Sequence, residues 1–461
     1  MPACQHCPPG RVFTSEVALI HHQAAKHSHL LSSSTQQPGS SGGGVNTGRP
    51  PPSIPGAPLA LVARNSLQRR DNWIYKGLRG RDEEPIHLID LATLQPSATP
   101  VSGATSYELV CSYNWLSGSG AGFLVPGHAP VWQDLALPVS VPKIDNRNNR
   151  KPSRQRHSYP AWHSTKYPFE QVFQATASMS PDFRFSDVDI VTTRNSLRKL
   201  LNFCRGRSQD SFRINLSLVA DKTLLIEQHD SKSMASRPFG WGHEFERTFT
   251  KFPPGLDLDR STSHDRFLQY PLGELNCVVG FELDACYYGE TEQRQEADVD
   301  AATGLLEELA LEEETPLSEK RTGVMSQVMP QDTAAELKSK TKGSTKATIG
   351  TFLPQLWFGR TPWLIVGSHT EGTFFEISVT DVVAAGHFTR WETERQADLR
   401  KLVAVLGELR DAVRRRNNAC CAAVYEKDVS STQRVIKMCA LANERMGVPA
   451  EVVRQFWEAE G

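Results

Sequence analysis

Apolar residues are grouped in short runs from about Trp73 onward, and Gly, Pro and Asp separate these runs. The runs are rich in β-branched and aromatic residues, a composition typical of strands bounded by turns. The pattern predicts strands at 107–116, 212–220, 223–228, 275–285 and 362–369.

Two other segments have the spacing of amphipathic helices. In 195–204 the apolar positions are Leu197, Leu200, Leu201 and Cys204. In 394–416 they are Leu399, Leu402, Val403, Leu406, Leu409 and Val413, and the C-terminal end is basic, which suits the helix dipole. Strands mixed with helices predict an α/β (α+β) fold, in which helices flank a mixed central sheet.

Composition divides the chain into four parts. Residues 1–30 are rich in Cys and His, and 31–72 are rich in Ser, Gly, Pro and Gln, which predicts a small metal module and a disordered linker. The main domain is expected at 73–425, with an acidic insertion at 289–333 between two strands. Residues 426–461 are expected to form a C-terminal helical segment.

The charges nearly cancel, because 51 Lys and Arg face 52 Asp and Glu, for a net charge of −1. No global field then attracts nucleic acid, so any site for a polyanion must be a local patch. The basic segment 143–157 is expected to be a solvated loop, and its alternative role is a contact with a phosphate backbone.

The N-terminal Cys and His residues resemble a C2H2 zinc finger. Cys4 and Cys7 have C-x2-C spacing, and His22 and His27 have H-x4-H spacing, with His21 as an alternative ligand. Two thiolates and two imidazoles close a tetrahedral Zn²⁺ site, and a module this small needs the metal to fold. The alternative is a disordered tail.

The nine cysteines show no disulfide framework, and the N-terminus is polar rather than a secretory leader. No apolar run approaches the roughly 18 residues that a membrane-spanning helix needs. We therefore expect a nuclear or cytoplasmic protein that is not secreted and has no membrane partner.

Two pairs of polar residues lie at alternate positions of predicted strands. Glu282 and Asp284 would share one strand face, and so would Glu336 and Lys338. Clustered carboxylates supply the hard oxygen ligands that Mg²⁺ or Mn²⁺ prefers. Each pair alone is also common on solvated strand faces. The residues between the paired positions are apolar and are expected to point into the core: Leu283 and Leu337.

Further motifs occur in an order that resembles the DXO family of decapping and pyrophosphohydrolase enzymes, whose core is related to PD-(D/E)XK nucleases. VDIVTTRNSLRKLL (188–201) resembles the arginine motif of the family, and GHEFE (242–246) resembles its G-Φ-x-Φ-E motif. The E-h-D, E-h-K and glutamine motifs follow at Glu282-Leu283-Asp284, Glu336-Leu337-Lys338 and Gln355. There are two departures: His243 after the motif glycine, and the long gap between Asp284 and Glu336.

The resemblance implies a role for each matching residue. Glu246, Asp284 and Glu336 would bind the metal directly, with the Leu337 carbonyl as a further ligand. Glu282 would act through a metal-bound water. Lys338 and Gln355 would position the nucleophile or the scissile phosphate, and Arg194 would contact substrate phosphates.

The activity that the resemblance implies is metal-dependent hydrolysis of RNA 5′ ends. The ends include triphosphates, incomplete caps and non-standard caps such as NAD, and some members also remove the first nucleotides in the 5′→3′ direction. One alternative is an inactive RNA- or protein-binding module that partners a 5′→3′ exonuclease, and another is a DNA-directed PD-(D/E)XK nuclease. Near the strand of Glu282, His264 and Arg266 are expected to be structural, with substrate contact as the alternative.

Overall fold

The structure is a computed structural model, in which the described residues are 72–81, 83–117, 122–143, 166–229, 240–254, 256, 258–289, 328–345, 348–416, 420–428, 431–443 and 447–458. All of them belong to one compact unit, Ala60–Gly461. The predicted zinc ligands Cys4, Cys7, His22 and His27 lie outside the described residues. So do 31–71 of the predicted linker, 144–157 of the basic segment and 290–327 of the acidic insertion.

Seventeen strands occur in the described residues. In chain order they are β1 (His87–Asp90), β2 (Glu108–Leu116), β3 (Phe123–Leu124), β4 (Val131–Trp132), β5 (Val139–Ser140), β6 (Ile190–Thr193), β7 (Phe212–Val219), β8 (Thr223–His229), β9 (Thr250–Lys251), β10 (Ser261–Leu272), β11 (Leu275–Glu282), β12 (Ala285–Cys286), β13 (Ala334–Thr341), β14 (Trp363–Thr370), β15 (Thr373–Asp381), β16 (Cys421–Tyr425) and β17 (Val435–Ala440).

Six α-helices accompany these strands in the same part of the chain. They are α1 (Glu170–Met179), α2 (Arg194–Cys204), α3 (Gly242–Phe249), α4 (Ile349–Phe358), α5 (His387–Arg414) and α6 (Ala450–Trp457). Short 3₁₀ helices lie at Asn72–Tyr75, Phe185–Asp187 and Gln331–Thr333.

The strands form two sheets. The first has ten strands in the order β1-β17-β16-β7-β8-β6-β11-β10-β2-β3, and the second has seven in the order β5-β15-β14-β13-β12-β4-β9. Both are mixed: β6 is parallel to β8 and β11, and β13 is parallel to β14, while most other pairs are antiparallel. The predicted α/β class with a mixed sheet and flanking helices is confirmed, but the strands form two sheets where one central sheet was predicted.

Helices cover both faces of the first sheet because adjacent strand residues point to opposite sides. On one side, Val279 of β11 belongs to a core that includes Leu197 of α2 and Leu402 of α5. On the other, Val278 belongs to a core with Phe173 of α1 and Phe456 of α6. The second sheet has its own core, which α3 completes with two fully buried rings: Phe245 and Phe249.

The predicted strands and helices are present, with shifted ends. The helix predicted at 394–416 begins earlier, at His387. The last residues of the predicted insertion 289–333 belong to the fold and end in the 3₁₀ helix Gln331–Thr333. Within that stretch Met329 and Gln331 are buried, and the Met329 carbonyl accepts a hydrogen bond from Arg266 Nη1 at 2.8 Å. The segment 426–461, expected to be helical, also contributes β17, which pairs with β16 and β1.

The prediction of one strand through 275–285 was wrong at its C-terminal end. β11 ends at Glu282 in the first sheet, and β12 begins at Ala285 in the second, so Leu283 and Asp284 link the two sheets. Glu282 and Asp284 therefore do not share a strand face. The predicted burial of Leu283 and Leu337 is confirmed.

None of the helices in the described residues combines the length and the apolar character that crossing a bilayer requires. The longest, α5, has 28 residues, and charged side chains occur along its whole length.

Candidate active site

Arg194 is the first residue of α2 and follows β6 directly, as the sequence predicted. The Thr193 side chain caps the helix by accepting a hydrogen bond from the Ser196 N–H at 3.3 Å. A cation is unfavourable at a helix N-terminus, so a buried guanidinium there needs a partner. Its Nη1 donates to Glu336 Oε2 at 3.0 Å, and its Nη2 donates to the Glu282 carbonyl at 3.0 Å.

Glu336 is the most buried carboxylate of the cluster, with its side chain 1% exposed. Besides Arg194, it accepts hydrogen bonds at Oε1 from Lys338 Nζ and from Gln355 Nε2 of α4. Burial alone would raise the pKa of Glu336, but Lys338 and Arg194 outweigh burial and lower it to about 2. Glu336 is therefore held as a carboxylate.

Lys338 follows two residues later on the same face of β13, as predicted. Its Nζ donates to Asp284 Oδ2 at 3.3 Å, to the Leu337 carbonyl at 2.8 Å and to Glu336 Oε1. Burial would lower the pKa of Lys338, but Asp284 and Glu336 outweigh it and raise the pKa. The side chain is thus protonated, and oxygen atoms of three residues accept hydrogen bonds from its ammonium group.

Asp284 reaches the same cluster from the link between the sheets. Its Oδ2 accepts a hydrogen bond from the Leu337 N–H at 2.9 Å. β12 pairs only with Ala334 and Ala335 of β13, so Asp284 takes the place of a strand neighbour at Leu337. Burial and the Glu336 carboxylate raise the pKa of Asp284 well above its ordinary value, and Lys338 only partly opposes them. Of these two neighbouring carboxylates, Glu336 is the one held ionised.

Glu246 and Glu282 complete the acidic group. Glu246 lies on α3 beside Phe245, and its Oε2 is 3.4 Å from His243 Nδ1. Glu282 is exposed at the end of β11, yet surrounding protein still desolvates it. Desolvation, followed by the Glu246 carboxylate, raises the pKa of Glu282. The unusual His243 of the second motif is an ion-pair partner of Glu246, and its hydrogen bond to that residue raises the pKa of the imidazole.

The structure therefore brings the predicted residues of five separate segments together. We call them the acidic cluster: Arg194, Glu246, Glu282, Asp284, Glu336, Lys338 and Gln355. Side-chain contacts join Arg194, Asp284, Glu336, Lys338 and Gln355. The carboxylates of Glu246 and Glu282 act on them electrostatically, and the Glu282 carbonyl also accepts a hydrogen bond from Arg194. The predicted contact of Arg194 with substrate phosphates remains a prediction, because both of its terminal nitrogens already bind protein oxygens.

The donor set suits a hard divalent cation. Two carboxylates and one carbonyl, from Asp284, Glu336 and Leu337, already surround one cation, the Lys338 ammonium. Oxygen ligands of this kind are those that Mg²⁺ and Mn²⁺ prefer. The described residues contain no group of three or more His, Cys, Asp or Glu side chains that is already arranged to hold an ion.

Sequence reasoning missed Asp265, which lies between the two residues it considered on β10. Asp265 pairs with Glu282 of β11 in the sheet register, and its Oδ2 accepts a hydrogen bond from Ser263 Oγ at 3.3 Å. Burial and the Glu282 carboxylate raise its pKa to about 8. The sequence signal that could have identified Asp265 is its position in the strand. Successive strand residues point to opposite faces, so Asp265 faces away from His264 and Arg266 and towards the acidic cluster.

His264 and Arg266, which were expected to be structural, are both buried. His264 is 2% exposed, and its Nδ1 lies 3.0 Å from Asn114 Oδ1. Burial lowers the pKa of His264 well below its ordinary value, so the ring is neutral. Arg266 is 1% exposed and donates to the backbone of Met329.

The fold is the one found in crystal structures of Rai1. Rai1 from Scheffersomyces stipitis superposes with a TM-score of 0.51 at 12% identity, over 83% of this chain and 99% of that chain. The complex of the same protein with (3′-NADP)⁺ and calcium ion gives 0.50 at 12% identity, over 82% and 99%. Rai1 from S. pombe gives 0.50 at 12% identity, over 76% and 99%.

The chain belongs to the family described as "Domain of unknown function (DUF8563)", whose sequence model matches residues 83–457. That range contains every residue of the acidic cluster and excludes the N-terminal Cys and His residues. No curated protein matches the chain.

Proposed function

We propose that the protein is a metal-dependent hydrolase that acts on RNA 5′ ends. The observation that carries the proposal is the surroundings of the Lys338 ammonium, which is held by oxygens of Asp284, Glu336 and Leu337. The same three residues are ligands that the motif order predicts. A site that already encloses a cation within carboxylates is suited to a divalent ion.

Glu246, Asp284, Glu336 and the Leu337 carbonyl would hold Mg²⁺ or Mn²⁺. When bound, such an ion lowers the pKa of water and neutralises charge that develops on a phosphate. Ion binding also favours ionised carboxylates, which removes the mutual repulsion that raises the pKa of Asp284 in the free protein.

The remaining residues would orient the reacting groups. Arg194 and Gln355 fix the position of Glu336 from opposite sides, and each does so through a hydrogen bond to a different oxygen. Lys338 supplies a permanent positive charge to the scissile phosphate, since its raised pKa keeps it protonated. Glu282, the exposed carboxylate of the cluster, would orient the attacking water.

The motif order and the fold support the proposed substrate. Rai1 of S. stipitis, which has the same fold, was crystallised in complex with (3′-NADP)⁺ and calcium ion. In that protein the fold accommodates a nucleotide and a divalent ion. Triphosphate, unmethylated-cap and NAD-capped RNA ends are the substrates we propose. The N-terminal zinc finger and an exonuclease partner stay predictions.

The test is hydrolysis of 5′-labelled RNA that bears a triphosphate, an unmethylated cap or an NAD cap, with Mn²⁺ or Mg²⁺. Wild type is compared with Asp284→Ala and Glu336→Ala, and Asp189→Ala serves as a control for loss of a partly buried aspartate elsewhere. We expect metal-dependent release of the 5′ group by wild type and by the control, and none by the other two variants.

A folded wild type that binds the metal and releases nothing from any of these ends would overturn the proposal in favour of the inactive binding module. Cleavage of DNA at a rate equal to that of RNA would favour the DNA-directed alternative instead. Metal binding is measured separately, as the rise in unfolding temperature on addition of Mn²⁺.

A further inference from the structure

β13 continues beyond the acidic cluster as a row of lysines. Its sequence from Glu336 is ELKSKTK, which places Lys338 and Lys340 on the same strand face as Glu336, and Lys342 directly follows the strand. Burial decreases along this row: Glu336 is buried, Lys338 and Lys340 are half-buried, and Lys342 is exposed. The row thus leads from the cluster to the protein surface.

Neither Lys340 nor Lys342 is neutralised by an acidic partner within the described part of the chain, in contrast to Lys338. The acidic residue in the same sheet row as Lys340 is Glu376 of β15, which stands two strands away across Ser368 of β14. Two strand spacings separate their backbones by roughly 10 Å, and no ion pair joins Lys340 and Glu376 in the described residues. The two ammonium groups are therefore available to an external anion.

The spacing of the row matches a nucleotide chain. Alternate residues of a strand are about 6.6 Å apart, which is close to the step between successive phosphates of an extended single strand. A net charge of −1 gives the whole chain no attraction for RNA, and the acidic cluster repels it. Binding of a strand beside this cluster needs local positive charge, and the row supplies it.

We infer that Lys340 and Lys342 bind the backbone phosphates of single-stranded RNA immediately downstream of the 5′ end held at the acidic cluster. The inference rests on the proposed function for the position of the 5′ end. It adds a direction for the RNA, outward along β13, and a minimum substrate length, because an RNA of two nucleotides does not reach Lys342.

The first experiment measures binding, independently of hydrolysis. A fluorescent single-stranded RNA of ten nucleotides is titrated with wild type and with the double variant Lys340→Gln/Lys342→Gln, at several salt concentrations and without divalent metal. We expect the affinity to fall about tenfold and the salt slope to decrease by roughly 1.4, since each single-strand phosphate contact contributes about 0.7. The matched control is Lys401→Gln/Lys437→Gln, which loses equal charge from α5 and β17.

The second experiment compares the KM for 5′-end hydrolysis of a ten-nucleotide and a two-nucleotide RNA. The lysine variant should raise the KM for the long RNA by about the same factor and raise the KM for the two-nucleotide RNA by less, because that RNA reaches Lys340 but not Lys342. Circular dichroism and the unfolding temperature confirm that both double variants are folded.

Equal affinity and equal salt slope in wild type and variant would overturn the inference, as would an equal loss in the control. The two proposals fail separately. Hydrolysis by wild type with no effect of the lysine variant removes the RNA path and keeps the enzyme. RNA affinity that depends on these lysines, without hydrolysis of any 5′ end, keeps the path and removes the enzyme.

Discussion

Asp189 and Asp284 are aspartates with nearly equal exposure, 13% and 16% of the side chain, in opposite electrostatic surroundings. Asp189 lies 3.2 Å from Lys222 Nζ, pairs with Arg410, and accepts the Asn276 N–H at 2.9 Å. Burial would raise its pKa, but these partners outweigh burial and lower it. Burial and acidic neighbours raise the pKa of Asp284, and its one cation, Lys338, only partly opposes them.

The two aspartates differ in how closely protein surrounds them and in the charge of their neighbours. Desolvation is the first cause of the raised pKa of Asp284, whereas cations and hydrogen bonds outweigh desolvation at Asp189. Asp189 ties α5 to the first sheet, and its three partners, Asn276, Lys222 and Arg410, all favour the ionised form. Asp284 is repelled by Glu336, Glu246 and Glu282, so the folded chain bears a cost to ionise it. Like-charged groups kept together at a cost are characteristic of functional sites, whereas fully paired ones stabilise the fold.

The largest effect is expected for Glu336→Gln. The substitution removes the charge that pairs Arg194 and Lys338, so both cations lose their main partner. Hydrolysis should fall more than about 100-fold, because Glu336 is itself a proposed metal ligand. Loss of a residue that only orients a metal ligand typically lowers activity by about 10- to 100-fold. Stability should fall by about 3 kcal/mol, as in other broken buried pairs. Steady-state rates and urea unfolding measure the two effects.

Asp284→Asn should abolish hydrolysis to a similar extent without loss of stability. The amide oxygen can still accept the Leu337 N–H, and the repulsion from the acidic neighbours disappears. Urea unfolding at pH 7 should give a free energy of unfolding equal to or above that of wild type. A marked loss of stability would mean that Asp284 resembles Asp189 after all.

The pH dependence of stability sharpens this comparison, because the two pKa shifts have opposite signs. A raised folded pKa at Asp284 means that stability is lost as the pH rises above the ordinary value of 3.8 towards the folded pKa. The advantage of Asp284→Asn over wild type should therefore grow with pH. Urea unfolding between pH 3 and pH 8 tests this, and a constant difference would contradict the assigned direction.

Gly359→Ala should have an intermediate effect, through Arg194. A Cβ at this position would lie 3.2 Å from Arg194 Nη1 and 2.8 Å from Thr361 Oγ1, so the guanidinium must move away from Glu336. We expect hydrolysis to fall about tenfold, as for the loss of an orienting partner. Gly350→Ala is the matched control at the other end of α4, which Gly359 directly follows, since its added Cβ would touch only Thr348 Oγ1 at 4.0 Å. Equal rates in both variants would refute the positioning role.

Asp189→Asn should leave hydrolysis unchanged and affect only stability. Losing the ionised partner of Lys222 and Arg410 should cost about 1 to 3 kcal/mol at neutral pH. Because the folded pKa is lowered, the contribution of Asp189 is fully present above 3.8 and is lost as the pH falls through the folded value. The variant and wild type should therefore converge in stability in acid, which urea unfolding measures. A fall in hydrolysis would show that the two aspartates are not functionally distinct.

The sequence by itself determined the local elements and the candidate residues. The apolar periodicity of 195–204 and 212–220 depends on neighbours within a few positions, so α2 and β7 were predictable. The spacing of Glu336 and Lys338 also specified one strand face without any tertiary information. Such patterns report which side of an element is polar, and they leave open what lies opposite.

Only the tertiary structure decided what lies opposite. Arg194 and Glu336 are 142 positions apart, and their contact depends on how the two sheets meet. The crossing of the chain between Glu282 and Ala285 brings Asp284 to the open edge of β13, a break that a continuous apolar run concealed. Asp265 joins the acidic group only through its register with Glu282. Strand order and register arise from long-range packing, which the local periodicity of a sequence does not encode.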